Sequence, residues 1–184
     1  MPPVKFQISR DSPAYYLTSV TKDRLPVFRK PEFAQVACQA ISEARASGGF
    51  LIFAYVIMLD HIHLVTDSSR KASEILRFVN GIVSRRIIDH LKASVYTDSL
   101  DKLKISKRAD GWQYSLWQHH SDSRLLWSEN MLWQKIQYTH LNPVRAGLSD
   151  HPNDWRWSSA RIFHNRRSED EPLLVDLASI KWRG

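Results

Sequence analysis

The stretch FLIFAYVIMLDHIHLVT, residues 50–66, decides the fold. Its apolar run from Phe50 to Met58 follows Gly48-Gly49 and is too short for a long helix, so it reads as a strand covered on at least one face. Leu59-Asp60 interrupts the run and HIHLVT (61–66) resumes it, which predicts a hairpin. Side chains alternate along a strand, so His61 and His63 project from one face while Ile62 enters the core.

Outward from this hairpin the elements alternate. Upstream, AYYLTSVT (14–21) has strand composition. Pro31 then stands at a first helical position, and Phe33, Val36, Ala37, Ala40, Ile41 and Ala44 follow at helical spacing until Gly48-Gly49. Downstream, Ser73 is the expected cap of a helix with Ile75, Leu76, Val79, Ile82, Val83 and Ile87 on one side. Residues 93–113 lose periodicity and gain charge, which predicts a flexible excursion able to wrap a ligand. Strand character returns over 114–126. Ser128 then caps a helix that Pro143 is expected to end. Strand, helix, strand, strand, helix, strand is the order of an α+β ferredoxin-like sandwich, an antiparallel sheet with helices on one face. The helix of Tyr138 would be a C-terminal addition. Residues 1–164 read as one domain and 165–184 as a polar tail.

Composition bounds the partner. The 184 residues carry 26 Lys and Arg against 19 Asp and Glu, and the net +7 favours a polyanion. A single cysteine, Cys38, excludes an intramolecular disulfide framework and a multi-cysteine zinc site. The longest apolar run stops at Asp60, and MPPVKFQISRD lacks the apolar segment of a secretory signal. The expectation is a cytoplasmic protein with no membrane partner.

Two imidazoles on one strand face can chelate a divalent cation, and they can equally be hydrogen-bonded histidines of a solvated face. Asp60 beside them is placed to orient a ligand. Further ligands must come from carboxylates, amides, histidine or substrate. In QKIQYTHLN (134–142), Gln134 with Tyr138 and Tyr138 with Asn142 are four apart and share a helix face.

The combination of HIHLV, a basic helix, YTHLNPVRAGL (138–148) and WSS (157–159) resembles the REP-associated tyrosine transposases, within the insertion-sequence transposases that have one catalytic tyrosine and two histidines flanking a hydrophobic residue. The resemblance spans about Tyr15 to Phe163. It implies Tyr138 as nucleophile, His61, His63 and Asn142 as ligands of Mg²⁺ or Mn²⁺, and cleavage and rejoining of single-stranded or hairpin DNA through a 5′-phosphotyrosine. Asp60 and His140 are assisting candidates, His140 also as a rival ligand to Asn142. Arg77, Arg85, Arg86 and Lys92 on the basic helix, Lys102, Lys104, Lys107 and Arg108 in the excursion, and Arg145 are candidates to track the DNA backbone. Trp112, Trp117, Trp155 and Trp157 are candidates to stack on bases. Relatives act as monomers or homodimers. Two rivals remain open: a non-catalytic nucleic-acid-binding module on the same fold, and a phosphoesterase in which water attacks.

Overall fold

The computed structural model describes residues 5–94 and 96–182. Four antiparallel strands, β1 (Ala14–Val20), β2 (Ile52–Ile57), β3 (His61–Thr66) and β6 (Asp122–Leu126), form one sheet in the order β2-β3-β1-β6. With α1 (Pro31–Gly48) and α2 (Ala72–Ala93) this is the ferredoxin-like α+β arrangement. Pro31 opens α1, and Gly49 closes it at φ 66°, a backbone conformation that favours glycine.

Register sorts the strand residues between two cores. Leu17 pairs with Leu64 and Ser19 with Ile62; Leu17, Ile62 and Leu64 pack under α1 and α2, against Ile41, Ile75, Val79, Val83 and Ile87. The alternate residues face the other way, where Tyr16 pairs with Val65, Thr18 with His63 and Val20 with His61. A bulge in β2 inserts one extra residue, so Phe53 and Ala54 both join this second face. Across it lies α4 (Glu129–Arg145), which sets Leu132 and Ile136 against Tyr16, Phe53, Ala54 and Val65. The tyrosine-bearing helix therefore covers the face opposite α1 and α2.

Several boundaries differ from expectation. Helix α2 starts at Ala72, because the Glu74 carboxylate accepts the Lys71 backbone N–H and fixes the start one turn ahead of it; Ser73 does not cap. Ser128 does cap α4, its Oγ accepting from the Met131 N–H at 3.3 Å. Pro143 does not end α4, which runs on to Arg145. So near the C-terminus the buried ring removes one ladder bond only. Residues 96–114 are ordered, as the short α3 (Thr97–Lys102) and the hairpin of β4 (Lys104–Arg108) and β5 (Gly111–Tyr114).

The C-terminal segment returns to the body through residue 182, and the last two residues of the expected tail lie outside the described ones. Leu173 enters the core, Asp176 bonds both backbone groups of Ile52, and Trp182 stacks on Trp133 at 5.0 Å. With Ile57 N–H donating to Trp157 O and Ser159 N–H to Tyr55 O, these contacts cover the free edge of β2. Among the described residues no helix is long and apolar enough to cross a membrane.

Candidate active site

The open end of the second face gathers the candidate residues. His61 and His63 stand on one face of β3 with ring centroids 4.8 Å apart. His63 is only 7% exposed; burial, with His61 and Lys135 adding to it, pushes its imidazole down to about 3, so it is neutral at pH 7. Tyr138, 37% exposed, brings its ring centroid within 6.2 Å of that of His63. Tyr16 stacks on His63 at 5.1 Å and meets Tyr138 edge-on at 6.1 Å. Burial pushes the Tyr16 hydroxyl well up, with the nearby Tyr138 adding to the effect, so it stays protonated.

Whether these groups suit a divalent cation turns on which lone pairs are free. Asp60 Oδ1 lies 2.6 Å from His61 Nδ1, and an ionised carboxylate can only accept, so Nδ1–H donates and Nε2 keeps its lone pair. Burial opposes the Asp60 charge, but bonds from His61 and from Arg24 at 3.1 Å outweigh it and hold the carboxyl below its ordinary range. Thr18 Oγ1 is 2.9 Å from His63 Nδ1, and the tautomer donating to it likewise presents Nε2. Asn142 Nδ2 donates to Tyr138 O at 2.8 Å, which leaves Oδ1 as an unused acceptor.

Helix direction places that amide: one turn before it Tyr138 meets His63, and one turn after it Ala146 lines a cleft of about 440 Å³ with His61 and Asp60. Among the described residues no group of three or more His, Cys, Asp or Glu could hold a metal. Two imidazoles plus one amide oxygen, with positions left for water or phosphate, is nonetheless a donor set that suits Mg²⁺ or Mn²⁺.

Cations complete the surroundings. Lys135 Nζ lies 4.9 Å from the Tyr138 ring centroid and 4.7 Å from that of Tyr16, and the Arg145 guanidinium lies 5.0 Å from Tyr138. Lys135 precedes Tyr138 by three residues and so shares its helix face, a spacing that could have found it. Tyr16 and Thr18 could have been found from strand parity once β1 was known to pair with β3.

Other candidates lie elsewhere. His140 sits two residues past Tyr138, on the buried side of α4, where its Nε2 meets Ser159 Oγ at 2.8 Å and its ring lies 4.8 Å from Phe163. Burial, with a small contribution from His164, lowers it to about 3. The structure thus directs it into a structural bond and away from the histidine pair. Arg77, Arg85, Arg86 and Lys92 belong to α2, in the layer on the far side of the sheet, and Arg86 is bound by Glu43 at 2.8 and 2.9 Å. Lys104 pairs with Asp101 at 2.7 Å; Lys107 and Arg108 are exposed on the hairpin with Trp112. Trp117 and Trp155 donate their indole N–H to Asn80 O and Ile57 O, and Trp157 packs on the core, so these three are building material.

Comparison with known proteins agrees with this fold. The chain is similar in structure to a REP-associated tyrosine transposase solved bound to a REP hairpin, with 15% identity and a TM-score of 0.62 over 90% of this chain and 87% of that one. A candidate transposase from Deinococcus radiodurans R1 aligns at 19% identity and a TM-score of 0.49, over 68% of this chain and 86% of that one, and is too distant in fold to inform the site. No curated protein matches. A family model described as "Transposase IS200 like" matches residues 10–135, a span that holds both histidines and stops just before Tyr138. The chain belongs to the IS200-like transposase family.

Proposed function

We propose that the protein cleaves and rejoins single-stranded DNA through a covalent bond to Tyr138, on hairpin-bearing substrates of the kind bound by its structural relative. The observation that carries this reading is the convergence of His61, His63 and the accessible Tyr138 on one open end of the sheet. The Tyr138 oxygen attacks the scissile phosphorus in line and the phenolic proton is released. The P–O3′ bond breaks, the departing 3′-oxygen takes a proton, and the products are a 5′-phosphotyrosyl strand and a free 3′-hydroxyl. A second 3′-hydroxyl reverses the step and joins strands, because the phosphotyrosine keeps the phosphodiester's energy.

A divalent cation held by His61, His63 and Asn142 would supply Lewis-acid charge to the non-bridging oxygens of the phosphate. The chain's own groups do the rest. Asp60 and Thr18 fix the two imidazole tautomers. Tyr16 and Lys135 flank the nucleophile, and Arg145 offers a guanidinium for the adjoining phosphate.

Incubating the purified protein with a labelled hairpin oligonucleotide from the DNA flanking its gene, with Mn²⁺ or Mg²⁺, tests the reading on a denaturing gel. A metal-dependent covalent band lost in Tyr138→Phe and in His61→Ala is expected. Cleavage without that band would make water the nucleophile. Metal-independent binding that survives Tyr138→Phe without cleavage would make the chain a binding module.

A further inference from the structure

We propose that a second cavity, set beside the cleavage cleft, is a pocket for a single unstacked nucleobase of the DNA strand; this rests on the reading that the chain acts on single-stranded DNA. The cavity holds about 170 Å³ where the turn Val27–Arg29, the first turn of α1, the end of α2 and the segment from Tyr96 to Lys102 meet. That volume lies below the range of drug-sized sites and suits one flat ring system.

Three features assign the occupant. The walls are apolar and aromatic: Phe33 and Leu91 are buried, and Tyr96 lies 5.6 Å from Phe33. Lys30 Nζ sits 3.4 Å from the Tyr96 ring centroid, covering a ring face on which a base would stack and releasing the ammonium to a phosphate when it does. The rim is cationic, for Arg29, Lys30 and Lys102 are exposed, no carboxylate lines the cavity, and none of the three has an acidic partner among the described residues. An aromatic wall under unpaired cations matches a base with its own phosphates better than it matches an apolar peptide.

Position links the cavity to the chemistry. Pro26 and Arg29 line both this pocket and the cleft that holds His61 and Asp60, so one short segment separates them. A strand whose phosphate sits at Tyr138 and whose backbone follows Arg29 delivers a neighbouring base to the pocket.

The test uses the full-length protein in EDTA and a labelled single-stranded oligonucleotide from the DNA flanking its gene. One abasic site is moved a nucleotide at a time, and affinity is read by fluorescence anisotropy. One abasic position is expected to weaken the wild-type complex by roughly 5–150-fold, as loss of one base–aromatic stack does. Tyr96→Ala is expected to weaken the intact strand by a similar factor and to lose sensitivity at that position, while Tyr96→Phe keeps both. Lys30→Gln, a surface change, should reduce the slope of log affinity against log salt by about 0.7. A flat abasic scan, or a Tyr96→Ala variant with the wild-type scan, overturns the pocket. The covalent gel assay on the same strands separates the two ideas: an adduct with a flat scan sinks the pocket alone, and a position-specific scan without adduct sinks cleavage alone. No binding at all sinks both.

Discussion

The two faces of the sheet are built from the same strands and differ in what covers them. Under α1 and α2 the strand residues Leu17, Ile57, Ile62 and Leu64 are buried among helix aliphatics. On the other face one helix covers Tyr16, Phe53, Ala54 and Val65 and leaves His61 half open beside a cleft. Strand parity thus divides adjacent residues between two faces: Ile62 and Leu64 pack the sheet against its helices, and His61 and His63 point to the face where we propose the chemistry. The partial cover matters, since full burial would exclude a DNA strand and full exposure would leave His63 charged in mildly acidic solution.

The strongest way to break this comparison is to exchange the roles of neighbours. Leu64→Ala is expected to destabilise the fold by about 2–5 kcal/mol, the usual cost of a buried leucine. His63→Ala should instead abolish the metal-dependent covalent adduct while thermal unfolding shifts less. Chemical denaturation and the gel assay on both variants check this, and an adduct retained by His63→Ala would end the division of labour.

Acid should distinguish the faces next. The imidazoles of His63 and His140 are both lowered by burial to about 3 and both lie on the α4 side. A histidine lowered in this way is neutral when folded and protonates more readily when unfolded, so its stabilisation is present above the unfolded value near 6.5 and is lost as pH falls below it. Each group would remove up to about 1.4 kcal/mol per pH unit between about 6.5 and 3. Urea titrations of the metal-free protein at pH 7, 6 and 5 should show this fall, and His140→Gln should remove part of it. An unchanged slope in His140→Gln would mean that His140 is not buried against Ser159.

A smaller effect should separate the imidazoles from their supports. Thr18→Val keeps the shape of β1 and removes the oxygen 2.9 Å from His63 Nδ1. Loss of such a support is expected to weaken Mn²⁺ binding by about 10–100-fold. Calorimetric titration reads this, and unchanged affinity would show that packing against Tyr16 alone orients the ring.

How much of this was legible in the sequence follows from the range of each signal. The hairpin at 50–66, the face shared by His61 and His63, and the cap at Ser128 rest on neighbours within a few residues, and they were readable. Tyr138 and Asn142 shared a face by spacing, but nothing local said which face α4 would lay on which side of the sheet. That choice depends on Leu132 and Ile136 meeting the bulge at Phe53 and Ala54. Basic residues misled for a similar reason: Arg86 reads as a DNA contact until Glu43 of α1, 43 residues away, is seen to hold it. Pro143 reads as a stop because the local rule is strong, yet so late in a helix it costs only one bond. The tail reads only as polar because its contacts, Asp176 to Ile52 and Phe6 to Ser179, span most of the chain.

The smallest prediction tests what holds α4 in place. Ser128 Oγ satisfies one of the free N–H groups at the helix start, and Ser128→Ala should cost about 1 kcal/mol, lowering the melting temperature by about 2–4 °C. The cap lies ten residues before Tyr138, with Leu132 and Ile136 buried between them. If packing fixes the helix over the sheet, fraying of its first turn stops at Leu132, and both Mn²⁺ affinity and adduct yield match wild type. If the yield falls along with the melting temperature, the helix reaches its position only when its first turn is formed. The open face would then owe its geometry to the helix's own stability, whereas the face under α1 and α2 owes its geometry to packing.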